Sequence, residues 1–381
     1  MCHVRRRGYF RAAVMIPTVH SLRVLVLVPY PLDQAPSQRF RIEQWIPHLR
    51  TLGIECHLVP FMDDGLYRRL ARPGNTVGKA VGLLRAAVRR WRILSEIAAY
   101  DLIFLHREAI AFGPAVLERL IARRKPVVFD FDDAIWLTNQ NRVNPLAEWV
   151  KCPGKARIIA RRASTILAGN AYLAEWAHRY NRSAYVVPTT LDTEGAYGRR
   201  KAHAPSDVPV VGWSGTTSTL RYLEVLRPVL GELARHRRFC LRVIYNGPAV
   251  RWPGIEMDWR PWSSVQEVED LLGFDVGLMP QPDEKWAKGK CGLKALQYMA
   301  LGIPSVASRN GVLPEIIEDG RSGFLAATAA EWLEHLQGLL DDWKLRGAMG
   351  EQARITVQER YSAAAHVPRI ASILRSAAQV G

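Results

Sequence analysis

The sequence has no uninterrupted apolar run of the ~18 residues that a membrane span needs, although 48% of its 381 residues are hydrophobic. A spanning helix is therefore not expected, and there is ample apolar material for packed cores. Cysteine is scarce: Cys2, Cys56, Cys152, Cys240 and Cys291 are scattered, odd in number and form no Cys-x-x-Cys pair. That argues against a disulfide framework or a structural zinc site, and for a reducing compartment, the cytoplasm. Acids are also few, 36 against 52 lysines and arginines, for a net charge of +16. Such an excess implies an anionic partner: nucleic acid, phospholipid headgroups or phosphorylated substrates. Helix-turn-helix, zinc and RNA-binding signatures are missing, so no nucleic-acid partner is expected. The length fits two domains of ~100–200 residues better than one.

The most informative stretch runs from Trp286 to Asn310. Its Gly- and Lys-rich start predicts a loop ending near Gly292. Leu293, Leu296, Tyr298, Met299 and Ala300 then fall at helical spacing. Gly302 sits where a helix C-terminal glycine does, Pro304 bars continuation, and Ile303–Ser308 reads as a short buried strand. Such a unit offers backbone N–H groups to an anion at the helix N-terminus. Lys290 just before the helix and Lys294 in its first turn oppose the macrodipole. A diphosphate between them resolves the conflict; two solvated lysines are the plain alternative.

The run Gly292-Leu293-x-Ala295-Leu296-x-Tyr298-Met299-Ala300-x-Gly302-x-Pro304-x-Val306-Ala307-Ser308 resembles the donor-binding signature of family 4 glycosyltransferases, which have the GT-B fold. Gly311-Val312-x-Pro314-Glu315-Ile316-Ile317-x-Asp319-Gly320-x-x-Gly323-Phe324-Leu325 agrees with the segment that follows it. The resemblance is highly specific over 210–361 and present more weakly from residue 22 onward. It implies an α/β chain of two Rossmann-like doubly wound domains facing a cleft. It also implies a nucleotide-sugar co-substrate, UDP- or GDP-linked, with no cofactor and no catalytic metal. Transfer would be retaining, to a glycan or lipid-linked acceptor, in the synthesis of cell-envelope polysaccharide or glycolipid. In relatives the donor helix often carries a Glu-x7-Glu pair whose second Glu bonds the ribose. Gly289 and Gln297 stand at those positions here, in a Gln-Tyr-Met-Ala form of the motif. Gln297 keeps hydrogen-bonding capacity without charge.

Residues 1–20 hold Arg5, Arg6, Arg7 and Arg11 and no acid, and read as a disordered basic leader, with Met1 or Met15 as the true start. Residues 21–193 read as the first, acceptor-binding domain, opened by the buried strand Leu22–Pro29, a helix from Arg39 to Leu52 that Ser37 can cap, and a second strand at Ile54–Val59. A polar linker is expected at 194–207, and a nucleotide-sugar-binding domain at 208–360. By resemblance, 361–381 forms a helix crossing back to the first domain. From Arg68 to Arg92 there are eight basic residues and no acid, with Val77, Val81, Leu84, Val88 and Trp91 on one helical face. That face is expected to dock on the core, with the arginines giving peripheral affinity for an anionic membrane, at the inner face of the plasma membrane.

The site residues fall at strand ends and helix starts. In the second domain, Gly215 and Thr216 in a hydroxyl-rich strand-to-helix loop are a phosphate-cradle candidate with Lys290 and Lys294. By resemblance Gln297 meets the ribose and Trp262 borders the base, while Asp283 or Glu284 can stand in for the Glu missing at Gly289. In the first domain, Arg39 and Arg41 begin a helix that faces the cleft in GT-B proteins, and are placed with Glu108 on the acceptor. His106, Asp132 and Asp133 are the catalytic candidates, suited to orienting an acceptor hydroxyl or moving its proton. A metal held by Asp130, Asp132 and Asp133, or an Asp pair that only caps the next helix, are alternatives. The rival function is a non-catalytic GT-B subunit that binds a nucleotide sugar or a partner glycosyltransferase.

Overall fold

The computed structural model describes residues 21–137, 152 and 154–380. The basic leader 1–20 lies outside them. The first strand, β1 (Leu22–Val28), is apolar almost throughout because both faces of its sheet are covered; Val24 to Val28 are fully buried. It pairs in parallel with β2 (Ile54–Pro60) and β3 (Leu102–His106). β4 (Val127–Phe131), β5 (Thr165–Ala168) and β6 (Ala184–Val186) complete a sheet of order β2-β1-β3-β4-β5-β6. A second parallel sheet holds β7 (Val210–Ser214), β8 (Cys240–Ile244), β9 (Glu256–Arg260), β10 (Val276–Met279), β11 (Ser305–Ser308) and β12 (Phe324–Ala326). Its order is β12-β11-β10-β7-β8-β9. Among the described residues, then, two six-stranded parallel sheets carry helices on their faces, an α/β fold of two Rossmann-like domains.

The last helix, Ala363–Gln379, packs on the first sheet: Val367, Ile370, Ala371 and Leu374 share a core with Val24, Val26 and Phe104. Leu191 and Ser362 form a bridge, so the two chain crossings between the domains lie side by side. The polar stretch after the first crossing is strapped to the second domain. The Arg354 guanidinium donates to the carbonyls of Tyr197, Gly198 and Arg199, and His203 Nε2 lies 2.9 Å from the Gly302 carbonyl.

Three local expectations change. The single helix from Arg39 to Leu52 is instead a turn at Pro36–Gln38, a π-helical turn at Arg39–Glu43 and an α-helix at Trp45–Thr51. Pro47 cannot donate to the carbonyl four residues back, which is where the regular helix breaks. Ser37 caps nothing; its hydroxyl turns to the cleft. The helix expected from Leu220 to His236 divides into Leu220–Glu224 and Arg227–His236, with Pro228 starting the second piece.

The helix Thr76–Trp91 has its apolar stripe turned outward, not docked. Val77 is 75% and Leu84 62% exposed, and Val81, Val88 and Trp91 are exposed as well. The inward side is taken by Ala86, Ala87 and Arg90. Small alanines allow close approach, and the Arg90 guanidinium is satisfied by the Val28 and Val59 carbonyls at 2.9 and 3.0 Å.

Candidate functional site

The C-terminal ends of both sheets open onto a cleft of about 940 Å³ lined by both domains. On the second-domain side, Gly215 follows β7 where the backbone passes over Trp213. A Cβ there would lie 2.1 Å from the indole, so only glycine fits. The next residues tie their own hydroxyls into the loop: the Thr216 N–H donates to Thr219 Oγ1 at 3.0 Å, and Thr217 Oγ1 donates to the Asn246 carbonyl at 2.8 Å. The helix Leu293–Ala300 begins at Gly292, whose φ of 69° suits glycine, and no side chain caps it. Its first-turn N–H groups thus remain available beside the cleft, which Gly292 to Lys294 line.

Lys290 and Lys294 both line this cleft but differ in state. Lys290 Nζ reaches across to Asp133 Oδ1 at 2.9 Å and lies 5.3 Å from the Trp286 ring centre. Burial works against its charge, but Asp133 outweighs it and the pKa stays raised. Lys294 has no ion pair among the described residues; its ammonium lies 5.4 Å from the Trp213 ring centre. Burial, then Lys290, push its pKa down to about 7.

On the first-domain side, Arg107 follows β3 with φ of 63°, a conformation costly for a side-chain-bearing residue. The turn is held by its N–H donating to the Asp130 carbonyl at 2.8 Å. It brings the guanidinium to 3.7 Å from Asp133 Oδ2. Burial opposes its charge, but Tyr30, Asp133 and Asp132 together raise its pKa. Asp133 is thus shared by Lys290 and Arg107, which hold it below the ordinary carboxylate range despite its burial. Glu108 also lines the cleft, with Lys155 at 3.5 Å from its carboxylate, and burial raises its pKa.

Behind this wall a second carboxylate is engaged differently. Asp130 is fully buried and accepts from Arg41 Nε at 3.1 Å and from the Arg41 Nη2 group. His106 Nδ1 lies 2.7 Å from its other oxygen. Burial alone would raise the Asp130 carboxyl; Arg41 and His106 bring it below its usual value. The far ring nitrogen, His106 Nε2, is 3.1 Å from Ser37 Oγ, and Ser37 donates to Asp132 Oδ1.

Two assigned roles are corrected by this geometry. Arg41 cannot meet an acceptor: it is completely buried, held by Asp130 and the Val187 carbonyl. His106 is buried as well and reaches the cleft only through Ser37. The three aspartates do not converge on a metal either, since Asp130 points inward; among the described residues no His, Cys, Asp and Glu side chains gather as a metal cluster. Asp132 and Asp133 do line the cleft.

The donor-side residues form a network across the domains. Gln297 donates to the Tyr197 hydroxyl at 2.5 Å, and Tyr197 donates to Glu267 at 3.1 Å. Burial, then Glu267, raise the Tyr197 pKa well above its usual value, so it remains a donor. Glu267 also accepts from Trp262 Nε1 at 2.9 Å and from Arg39 at 3.0 Å. Arg39 therefore ties the first domain to the second. Gly289 sits against Ala134 of the first domain, where a Cβ would meet the Ala134 Cβ at 2.7 Å; a glutamate has no room there. Glu284 accepts from Arg221 and Tyr222 at 3.1 and 2.7 Å, and Asp283 pairs with Lys288 at the surface. Sequence reasoning missed Arg107, Ser37, Tyr197 and Glu267. Only Arg107 left a signal, a basic residue at a strand end beside His106.

Residues 246–342 match the family model described as Glycosyl transferases group 1. The structure superimposes on HepE of Anabaena in complex with UDP and glucose with a TM-score of 0.64, at 15% identity, covering 93% of this chain and 100% of that one. The chain is GT-B in fold and family 4-like in sequence. This GT-B chain is 29% identical over 201 residues to D-inositol 3-phosphate glycosyltransferase of Corynebacterium kroppenstedtii, 48% of this chain and 44% of that one. The match spans less than half the length of this and the other inositol-phosphate relatives. Alpha-D-kanosaminyltransferase of Streptomyces kanamyceticus is 25% identical over 393 residues, 93% of this GT-B chain and 94% of the relative.

Proposed function

We propose that this GT-B chain transfers a sugar from a nucleoside-diphosphate sugar, UDP- or GDP-linked, to a hydroxyl of a glycan or lipid-linked acceptor. Transfer is retaining and independent of a catalytic metal, and serves cell-envelope polysaccharide or glycolipid synthesis. The observation that carries the reading is that Lys290, Lys294 and Arg107 line one cleft, Lys290 and Arg107 paired with Asp133 and Lys294 with no ion pair among the described residues, beside the Gly215–Thr219 loop and an uncapped helix start. As the sugar–phosphate bond breaks, charge grows on the leaving diphosphate, and preorganised cations stabilise it in a site that excludes water. The names of the curated relatives agree, and HepE holds UDP and glucose in its structure.

The first test is a thermal-shift screen against UDP, GDP and ADP and their sugar conjugates, with and without magnesium. A ligand at a hundred times its dissociation constant adds ~2.7 kcal/mol of stability. One nucleotide standing out identifies the donor base; a shift that requires magnesium overturns the metal-independent reading. Lys290→Ala weakens the selected nucleotide by about 1.5–3 kcal/mol, less what its pair with Asp133 already contributes. A second reading, a non-catalytic subunit, is favoured by Gln297 being engaged with Tyr197 and by Gly289 in place of a glutamate. Donor hydrolysis or sugar transfer by the purified chain excludes it; a flat screen favours it.

The chain acts in the cytoplasm at the inner face of the plasma membrane, on this proposal. Support comes from the outward stripe Val77, Val81, Leu84, Val88 and Trp91, flanked by the exposed Arg85, Arg89 and Arg92. Among the described residues no helix is long and apolar enough to cross a membrane. Leu84→Glu with Val88→Glu lowers sedimentation with vesicles containing anionic lipid and leaves the melting temperature unchanged. Equal sedimentation would remove the stripe from membrane contact.

A further inference from the structure

The chain Asp130–His106–Ser37–Asp132 runs from the buried core to the cleft, and its hydrogens can be counted. Asp130 is ionised, since Arg41 and His106 hold it below its ordinary range against burial. It can therefore only accept, and His106 Nδ1, 2.7 Å away, carries a proton. Two further contacts follow: His106 Nε2 to Ser37 Oγ at 3.1 Å, and Ser37 Oγ to Asp132 Oδ1. Each needs a hydrogen. Ser37 brings one; a neutral His106 has already placed its own on Nδ1, and an ionised Asp132 has none. The arrangement is complete only with one more proton, on His106 Nε2 or on Asp132.

We infer that Asp132, Ser37 and His106 are a proton relay that moves one proton between the cleft and a buried imidazole. In one form His106 is imidazolium, Nε2–H donates to Ser37, and Ser37 donates to the Asp132 carboxylate. In the other Asp132 is protonated and donates to Ser37, which donates to neutral Nε2. The forms exchange by shifting two hydrogens along the chain without moving a heavy atom. Ser37 and Asp132 line the cleft while His106 is fully buried, so the proton enters at Asp132 and is stored away from the substrate. The charged groups that face the relay are Asp130 and Asp133 at His106, and Arg41, Arg107, Lys290 and the Cys291 thiol at Asp132.

Resting on the proposed sugar transfer, the relay starts one proton short, with neutral His106 and ionised Asp132. The acceptor oxygen bonds the anomeric carbon on the face from which the diphosphate departs, as retention requires, and its hydroxyl gives its proton to Asp132. The carbon–phosphate oxygen bond breaks, and its electron pair leaves with the diphosphate. Ser37 then passes a proton inward to Nε2 and takes the one on Asp132, returning the carboxylate to its base form. Asp132 would be the group touching substrate, and Ser37 a positioning residue.

The test is a pH titration of the ligand-free, 15N-histidine-labelled protein by long-range 1H–15N spectra, comparing wild type with Ser37→Ala, Ser37→Thr and Asp132→Asn. Nδ1 of His106 is expected to stay protonated throughout while Nε2 titrates. In Asp132→Asn the midpoint falls by on the order of one pH unit, because the imidazolium loses its anionic partner. Ser37→Ala also lowers it, and Ser37→Thr, which keeps the hydroxyl, restores the wild-type curve. Unchanged melting temperatures show that the variants fold. One curve shared by all four proteins, or titration at Nδ1, overturns the relay. Since no substrate is present, this result is independent of the proposed reaction. If transfer is also measured, Ser37→Ala lowers kcat by ~10²-fold with little change in donor KM; a loss confined to KM overturns the positioning role.

Discussion

Lys294 offers the sharpest quantitative test of the anion site. Its ammonium is desolvated and faces Lys290, and its pKa is pushed down to about 7. A lysine there is half neutral at pH 7 and roughly nine-tenths neutral at pH 8. A diphosphate beside it supplies the missing counter-charge and returns it to the charged form, so binding takes up a proton. At pH 8 the nucleotide phosphates are already fully ionised, since phosphate monoesters lose their second proton near ~6. The uptake of about 0.9 proton per nucleotide at that pH therefore belongs to the protein. Calorimetry in buffers of different ionisation enthalpy reads this number directly. Charging Lys294 at pH 8 costs about 1.4 kcal/mol, against ~1.5–3 kcal/mol for a charge-assisted hydrogen bond to phosphate. Lys294→Met should thus weaken binding by the full amount at pH 6 and by about 1.4 kcal/mol less at pH 8, and should abolish proton uptake. The ligand-free fold carries the converse sign. Unfolded lysine keeps its proton up to ~10.4, so the unfolded state binds more protons above pH 7 and stability rises with pH over that window. Lys294→Met flattens this rise. No proton uptake at pH 8 in the wild type would refute the placement of Lys294 at the diphosphate.

Two further outcomes follow from buried contacts. Arg41→Leu leaves Asp130 buried without its guanidinium and should cost about 3–5 kcal/mol in urea unfolding; a loss below ~1 kcal/mol would mean that the pair is not formed. The depressed Asp130 carboxyl contributes stability above the ordinary carboxylate pKa, and that contribution is lost as pH falls through its folded value. Gly289→Glu introduces the acid that the family resemblance implies at this position but places a Cβ 2.7 Å from that of Ala134. It should separate the two domains at this contact, widening the scattering profile and weakening nucleotide binding; a variant with tighter binding would show that the glutamate finds room.

Much of the donor half is legible in the sequence alone. The helix Leu293–Ala300, its glycine boundaries and the strand after it follow from local rules, because spacing, glycine and proline act within a few residues. Lys290 and Lys294 stood out because cations in a first helical turn conflict with the macrodipole, a local signal for a missing anion. Arg41 and His106 misled for the same reason in reverse. A helix start and a strand end are where ligands bind in such folds, but both side chains turn inward, and only the register of β3 beside β4 opposes His106 to Asp130.

The apolar stripe of Thr76–Trp91 shows where periodicity stops. It marks one face of the helix but not the direction that face takes, which here was decided by Ala86, Ala87 and the sheet carbonyls that satisfy Arg90. The sequence by itself determined the parallel strands, their order of appearance and the two-domain α/β plan, since near-continuous apolar strands alternating with helices have few ways to pack. Only the tertiary structure decided the partners. Asp133 with Lys290, Glu267 with Arg39, Gln297 with Tyr197 and Ser37 with His106 and Asp132 lie 157, 228, 100, 69 and 95 residues apart. Pairings at such separation leave no local pattern, because closing the chain onto itself, not neighbouring chemistry, brings them together.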